Sequence, residues 1–270
     1  MKKVLELENV SKSISWRYGL KQKMSTSKII LDKINLVLET SKIYTVIGGN
    51  GAGKTSLLNV IQNYTSKDSG KITFYKKGEA IDISNSPSTE LRNLGHGRLF
   101  QNLLVFDSLS LLDNMFLGCL EDKFHNPLLS IFCRKKIASI RQKNKVRALE
   151  IWTMVLGENN YFSNNCNSSA ASLSYGQQRI LALCRLFMDE TKLVLLDEPT
   201  SGVSEELIPV VRETLLQLRQ NGATLILVEH NISFVKSISD YIIWMDDGKI
   251  KMHDDAKVVF NASSFKNEFL

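Results

Sequence analysis

Two segments near the start of the chain alternate apolar and polar residues. Residues 4–10 and 29–38 both follow a period of two, which is typical of strands that bury one face. The segment between them, residues 13–28, is rich in serine and lysine and predicts a loop or a hairpin tip. Together these patterns predict antiparallel strands at the edge of a domain.

Three shorter runs are apolar at nearly every position instead of alternating. They cover residues 43–47, 193–196 and 225–228, and segments with helical patterns lie between them. Strands of a parallel sheet are buried on both faces, and they therefore read as continuous apolar runs. The pattern predicts an α/β core with a parallel sheet.

The rest of the pattern predicts a helical insertion in that core. Residues 128–156 are mostly helical in pattern and carry many of the basic residues. We predict a single domain over residues 1–270, with a helical subdomain at about 103–190 inserted in it. No run reaches the ~18 apolar residues of a membrane-spanning helix, and the early acidic residue Glu6 argues against a signal peptide.

Composition narrows the class of protein without naming a function. With 43% hydrophobic and 23% charged residues, the chain matches ordinary globular proteins that bury a large core. The four cysteines are scattered without a CxxC pair, which predicts reduced thiols in a cytosolic protein and no zinc site. A net charge of +6 suits a position beside an anionic membrane, but it also describes many soluble proteins. The basic stretch 134–147 either faces such a surface or is a solvated helix face, and the second explanation is simpler.

A glycine-rich segment between a predicted strand and a predicted helix fits the pattern G-x-x-x-x-G-K-[ST]. Its glycines let backbone N–H groups converge on phosphate oxygens, and the helix N-terminus adds partial positive charge. Lys54 can neutralise the β- and γ-phosphates of ATP, and the Thr55 hydroxyl can ligate Mg²⁺. The predicted nucleotide-binding residues are Gly48, Gly49, Asn50, Gly51, Ala52, Gly53, Lys54, Thr55 and Ser56.

Polar residues follow the other two buried runs, at the end of a sheet where ligands bind. Asp197 is expected to hold Mg²⁺, and Glu198 to orient and polarise the attacking water. His230, after the run at 225–228, can donate to the γ-phosphate. The acids could instead begin a turn at Pro199, and the histidine could be structural. Their combination with the phosphate loop favours catalysis.

Residues 173–179, Leu-Ser-Tyr-Gly-Gln-Gln-Arg, resemble the LSGGQ signature of ABC ATPases. The resemblance implies that Ser174, Gly176 and Gln177 contact the γ-phosphate of a nucleotide held by the opposite subunit. Tyr175 replaces a glycine of the family pattern. In physical terms, Ser174 is expected to open a helix, whose N-terminus attracts anions.

Further family positions fall into register once the signature is recognised. The resemblance implies that Gln101 is the Q-loop glutamine, a Mg²⁺ ligand and γ-phosphate sensor, and that His230 is the H-loop histidine. Residues 201–204 correspond to the D-loop, where the family usually ends in Asp and this chain has Ser204. The family also stacks an aromatic residue on adenine. Direct counting gives Ile14, which cannot stack. If residues 13–28 are an insertion, Trp16 and Tyr18 are the candidates, and the equally good alternative is that each is a surface aromatic residue on a loop.

The fold implied by the resemblance is a P-loop NTPase (RecA-like) core with a parallel sheet. An N-terminal antiparallel β-subdomain and a helical subdomain that carries the signature complete it. Residues 100–103, 175–179 and 228–231 look like the branched-chain amino-acid uptake branch, whose pattern urea-uptake and lipopolysaccharide-export ATPases largely share.

The function implied is the ATP-hydrolysing subunit of an ABC membrane transporter, peripheral to the cytoplasmic face of the inner membrane. Its expected partners are transmembrane permease subunits, a second identical or related ATPase subunit, and a substrate-binding protein that acts through the permease. No nucleic acid is expected. The alternative is a soluble ABC ATPase acting on nucleic acid or ribosomes, but such proteins usually join two cassettes in one chain or carry a long coiled coil. A P-loop kinase or GTPase would have no use for the signature.

Overall fold

The computed structural model describes residues 2–18, 24–102, 104–119 and 134–269, with backbone alone for 16–18, 24–26 and 134–137. Its strands are β1 (Lys3–Tyr18), β2 (Met24–Glu39), β3 (Ile43–Ile47), β4 (Ser69–Lys76), β5 (Glu79–Asp82), β6 (His96–Leu99), β7 (Leu193–Asp197), β8 (Thr224–Val228), β9 (Tyr241–Asp246) and β10 (Lys249–Asp255). Its helices are α1 (Lys54–Ile61), α2 (Ser88–Leu94), α3 (Leu111–Phe116), α4 (Arg134–Leu156), α5 (Tyr161–Asn164), α6 (Tyr175–Arg185), α7 (Ile208–Gln220), α8 (Ile232–Ile238), α9 (Ala256–Asn261) and α10 (Ser263–Phe269). Short 3-10 turns cover Ala170–Ser172 and Glu205–Leu207.

The strands form two sheets of different kinds. One sheet has the order β2-β1-β4-β5, and its neighbouring strands are antiparallel. The other has the order β10-β9-β3-β8-β7-β6, in which β3 pairs in parallel with β8 and β9, and β7 with β8. The predicted combination of a parallel core sheet and an N-terminal antiparallel sheet is therefore present.

The described chain divides into two compact units. The first comprises Met1–His96, Lys192–Glu198 and Arg219–Leu270, and the second comprises Gly97–Thr191 and Pro199–Leu218. The first unit holds both sheets up to the start of β6, and the second holds α3 to α6 and most of α7. The prediction that residues 1–270 act as one domain stays a prediction.

The continuous apolar runs lie where burial on both faces requires them. Every residue of β3, β7 and β8 is buried, which confirms the prediction made for these three segments. The main core of the first unit joins side chains of the antiparallel sheet to those of the parallel sheet. It includes Leu5, Leu7, Ile34, Leu36, Ile72, Phe74, Val46, Leu195, Ile226 and Ile243.

Of the two predictions for residues 13–28, the loop was wrong for most of the segment and the hairpin agrees with the paired strands, while residues 19–23 lie outside the described residues. The structure continues β1 to Tyr18 and starts β2 at Met24, and the two strands pair antiparallel, with Ile14 opposite Lys28. A two-stranded ribbon that extends past the core needs no buried face, so serine and lysine suffice there. Apolar alternation therefore ends before the strands do.

The basic insertion forms a helix, as predicted. Helix α4 begins at Arg134, and the earlier part of the predicted segment, 128–133, lies outside the described residues. Arg147 Nη2 donates to the Phe187 carbonyl oxygen at 2.8 Å, and exposed Arg141 pairs with Asp113 at 2.9 Å. Within the described ranges, no helix combines the length and apolar character needed to cross a bilayer.

His96, at the start of β6, is a buried histidine whose ring lacks polar partners. It is 4% exposed, its ring packs edge-on against Phe74 with centroids 4.6 Å apart, and neither ring nitrogen has a hydrogen-bond partner in the described structure. Burial lowers the pKa of His96 to about 3. The folded chain therefore keeps this imidazole neutral, whereas the unfolded chain protonates it below about pH 6.5.

We expect acid to destabilise the chain through His96. Between about pH 6.5 and 3 the unfolded state binds one more proton, so the free energy of unfolding falls by about 1.4 kcal/mol per pH unit from this group. The apolar variant His96→Leu should lose this contribution. Urea unfolding of both proteins at pH 7.5 and pH 5.5 measures it, and equal pH dependence in the two proteins would contradict the prediction.

Candidate active site

The phosphate loop lies between β3 and α1, as the sequence predicts. Gly53 precedes the helix with φ at +95°, and a Cβ at this position would lie 2.6 Å from the carbonyl oxygen of Ile30. Gly51 also has a positive φ, +82°, in open space. Glycine is therefore required at both positions, by backbone conformation at Gly51 and also by close approach at Gly53. The loop leads directly into α1, whose first backbone N–H groups form an anion-binding N-terminus.

The Lys54 side chain folds back over the phosphate loop and is held there by the loop's own carbonyl oxygens. This side chain is buried, and Nζ donates to the carbonyl oxygens of Gly48 at 2.7 Å and Gly49 at 2.9 Å. Burial lowers the pKa of Lys54, and the carboxylates of Glu198 and Asp197 oppose that shift. Carbonyl oxygens compensate a buried ammonium only in part, so a polyphosphate is a favourable further partner.

A cleft of about 300 Å³ opens beside the loop within the first unit. It is lined by Lys28, Ile30, Asn50, Gly51, Ala52, Gly53, Lys54, Thr55, Ser56, Glu198, Val228 and His230. The structure thus brings the predicted phosphate loop together with the predicted catalytic acid and histidine.

Thr55, which lines the cleft, and Asp197 provide oxygen atoms side by side. The Thr55 hydroxyl lies 3.4 Å from Asp197 Oδ1, and Asp197 is a buried residue at the end of β7. A hydroxyl and a carboxylate are hard oxygen ligands of the kind that Mg²⁺ prefers, and bound phosphates usually complete such a site. The residues present therefore fit the predicted Mg²⁺ ion.

Glu198 adopts a backbone conformation that few carboxylic residues adopt. Its φ is +48°, and its N–H donates to the Val228 carbonyl oxygen at 2.9 Å, which fixes it between the ends of β7 and β8. Its Oε1 atom lies 3.4 Å from Nε2 of His230. Left-handed conformations in non-glycine residues cost free energy and cluster at functional sites. Glu198 is therefore a residue with a strained backbone, and its side chain pairs with that of His230 at the cleft.

Glu229 is a buried carboxylate for which the sequence analysis predicted no role. Its Oε2 atom accepts hydrogen bonds from the N–H groups of His230 at 2.9 Å and Asn231 at 3.3 Å. These bonds fix the turn that presents His230 to the cleft. An acid directly before a histidine at the end of a buried strand was a visible signal for this positioning role.

In the second unit, the signature segment opens helix α6. Ser174 is the N-cap residue: its hydroxyl accepts from the Gln177 N–H, and the Gln177 side chain accepts from the Ser174 N–H. This reciprocal pair is a capping box, which fixes the first turn. The fully buried Arg179 donates to the carbonyl oxygens of Phe100 at 2.9 Å and Gln101 at 3.2 Å. The segment around Gln101 is thus attached to the same helix.

Comparison with known proteins decides the family. The sequence profile of the family described as ABC transporter matches residues 31–201, which is more than half of the chain. The chain belongs to the ABC transporter family. The probable branched-chain amino acid transport ATP-binding protein LivG of Archaeoglobus fulgidus is 31% identical over 251 residues, covering 92% of this chain and 88% of that protein.

Further relatives of this ABC cassette support the same family assignment. The fructose import ATP-binding protein FrcA of Rhizobium meliloti is 31% identical over 212 residues, covering 78% of this chain and 77% of that protein. A crystal structure of a nucleotide-free ATP-binding cassette from an ABC transporter matches with a TM-score of 0.76 at 25% identity, covering 99% of both chains. The predicted P-loop fold, the ABC ATPase class and the resemblance to the branched-chain branch are confirmed.

The remaining predicted site residues of this ABC cassette lie in the second unit or outside the described side chains. Gln101 and Ser174 are exposed residues of the second unit, whereas Gln177 is half-buried and Gly176 is buried there. Their predicted contacts with nucleotide or Mg²⁺ stay predictions. The side chain of Tyr18, proposed to stack on adenine, lies outside the described residues.

Lys28 is a cleft residue that the sequence did not single out. It lies on the same face of β2 as Ile30, two residues further along the strand, and both residues line the cleft.

We expect Lys28→Ala to weaken ATP binding about fivefold, because an exposed cation beside bound phosphates contributes about 1 kcal/mol. Titration with a fluorescent ATP analogue measures the change. Lys71→Ala, which removes an exposed lysine from β4, is the matched control, and equal affinities in the two variants would contradict the expectation.

Proposed function

We propose that this chain is the ATP-binding and ATP-hydrolysing subunit of a transporter that imports branched-chain amino acids. The observation that carries the proposal is the cleft that Lys54, Glu198 and His230 line, beside the Thr55–Asp197 oxygen pair. These groups supply a phosphate cradle, a cation, a metal-binding pair and an acid with its histidine in one place. ATP hydrolysis requires this set of groups.

In the proposed mechanism, the N–H groups of the phosphate loop and the Lys54 ammonium hold the β- and γ-phosphates. Thr55 and Asp197 would hold Mg²⁺, which when bound would neutralise charge on the phosphate oxygens. Glu198 orients a water molecule in line with the γ-phosphate and accepts its proton at the carboxylate. The water oxygen bonds to the γ-phosphorus as the bond to the bridging oxygen of the β-phosphate breaks, which releases ADP and phosphate. His230 donates a hydrogen bond to the γ-phosphate, and the turn held by Glu229 keeps it in place.

The proposed site is completed by a second ATPase subunit, identical or related. Ser174 and the N-terminus of α6 in that subunit contact the γ-phosphate bound at Lys54 of the first. Helix α6 is suited to this role because its capping box leaves backbone N–H groups at a fixed N-terminus. Gln101 links the state of the nucleotide to the permease through the segment that Arg179 holds.

The proposed partners are transmembrane permease subunits, with a substrate-binding protein acting through them. The chain then works at the cytoplasmic face of the inner membrane. Branched-chain amino acids are the proposed substrate because LivG of Archaeoglobus fulgidus carries that name and aligns over 92% of this chain. The permease and binding protein, rather than this cassette, would select the substrate.

Purification from native membranes tests the proposed function. A tagged full-length chain, extracted in mild detergent, is expected to elute with at least one polytopic membrane protein identified by mass spectrometry. In proteoliposomes, the recovered complex should hydrolyse ATP faster when leucine and the binding protein are present. Recovery with ribosomes or nucleic acid, and without any membrane protein, would contradict it. Stimulation by fructose instead of leucine would contradict the substrate alone.

A further inference from the structure

The first residue of the signature helix packs against a loop that follows the catalytic acid in sequence. The Tyr175 ring lies against Gly202, where an added Cβ would come within 2.7 Å of Tyr175 Cε1 and 3.0 Å of Cδ1. Gly202 has a φ of +71°, so a side chain there would be strained as well as crowded. The ring therefore occupies the space that a side chain at position 202 would need.

The next signature residue contacts the same segment. A Cβ at Gly176 would lie 2.9 Å from Leu207 Cδ1 and 3.8 Å from Val203 Cγ1. Two successive residues of α6 thus pack against residues 202–207. The Tyr175 ring fills the space above Gly202, and the missing side chain of Gly176 leaves room for Val203 and Leu207. The two segments fit together through shape.

Compared with these packing contacts, the hydrogen bonds that the Val203 and Leu207 N–H groups donate reach only to nearby residues of the chain. Val203 N–H donates to the Thr200 carbonyl oxygen at 3.2 Å, and Leu207 N–H to that of Ser204 at 2.9 Å. The Ser204 side chain makes no capping hydrogen bond to the 3-10 turn that it precedes. The position of this segment therefore depends strongly on its contact with the start of α6.

We propose that Tyr175 is a positioning residue that couples the N-terminus of α6 to the loop following Glu198. Only three residues separate Glu198 from Gly202 along the chain. A displacement of α6, when its N-terminus meets a phosphate, is passed by the rigid ring to Gly202 and along the backbone to Glu198. The inference rests on the proposed function, in which α6 meets the nucleotide of the other subunit.

The ring, rather than the hydroxyl, carries this contact. The atoms nearest to position 202 are Cε1, Cδ1 and Cζ of Tyr175, and phenylalanine shares all three. Tyr175 is 46% exposed, so truncating it leaves no large cavity in a core. These two facts allow a test that separates positioning from folding.

We expect Tyr175→Ala to lower kcat about tenfold while KM and the affinity for ATP change less than about twofold. Tyr175→Phe should keep kcat within about twofold of the wild type, since the ring remains. Tyr161→Ala, which truncates another tyrosine of the second unit, 44% exposed, is the matched control and should retain kcat. The midpoint of thermal unfolding should be the same in all three variants.

A double-mutant cycle with Gly202→Ala completes the test. In the wild-type background Gly202→Ala should lower kcat, because its methyl group displaces the ring. In the Tyr175→Ala background, Gly202→Ala should lower kcat by a clearly smaller factor, because the ring is gone and only the backbone strain remains. Unchanged kcat in Tyr175→Ala, or losses that simply multiply, would overturn the inference while wild-type hydrolysis still supports the proposed function. A wild-type chain that binds no ATP would overturn both.

Discussion

Replacing Glu198 by glutamine is expected to lower ATP turnover by at least about 100-fold, since a general base typically contributes that much or more. Glutamine keeps the size of the side chain but cannot accept a proton from water. The phosphate loop and Lys54 themselves are unchanged in this variant, so the affinity for ATP should stay within about threefold. Phosphate release at saturating ATP and titration with a fluorescent analogue measure the two quantities.

The matched control for this variant is Glu158→Gln. Glu158 is exposed in the turn after α4 and lines no part of the cleft, so the same chemical change there should leave turnover unaltered. If ATP turnover by Glu198→Gln exceeds about a tenth of the wild-type turnover, Glu198 is not the general base. The strained backbone at position 198 is common to both the acid and its amide, so it does not confound the comparison.

Lys54→Ala is expected to weaken ATP binding about 100-fold, because loss of a buried cation that contacts phosphate costs about 3 kcal/mol. Turnover should fall with it. The change also removes two hydrogen bonds to the loop carbonyls of Gly48 and Gly49, so the loop loses its internal brace. Titration with the same fluorescent analogue measures the affinity.

Two further variants separate charge from geometry at this position. Lys71→Ala removes an exposed lysine outside the cleft and should bind ATP as the wild type does. Lys54→Arg keeps the charge, but its planar guanidinium does not fit two carbonyls that suit a compact ammonium, so binding should still weaken. Affinity close to wild type in Lys54→Ala would contradict the assignment of the phosphate loop.

The phosphate loop could be predicted from sequence because all of its determinants are local. Glycines at positions of positive φ, a lysine and a helix start follow each other within a few residues of β3. The buried strands could be predicted equally well, since burial on both faces leaves apolar residues at nearly every position of β7 and β8. Asp197 and Glu198 then followed from where one such strand ends.

Features that depend on distant residues could not be predicted in this way. The ribbon of β1 and β2 continues through serines and lysines because backbone pairing, which has no sequence signal of its own, holds it together. Lys28 reaches the cleft only as a result of that pairing. The contact of Tyr175 with Gly202 joins residues 27 positions apart, and neither residue alone indicates it. The stacking role proposed for Tyr18 and the contacts proposed for Gln101 stay predictions.

The most direct measurement of the proposed composite site is the mass in solution of the Glu198→Gln chain with Mg²⁺ and either ATP or ADP. A single chain has a mass of 30.5 kDa. With ATP, light scattering should report a pair, formed with itself or with a related ATPase subunit, because the proposed site takes Lys54 from one subunit and Ser174 from the other. With ADP the pair should separate. The mass of a single chain under both conditions, with or without the related subunit, would contradict the proposal.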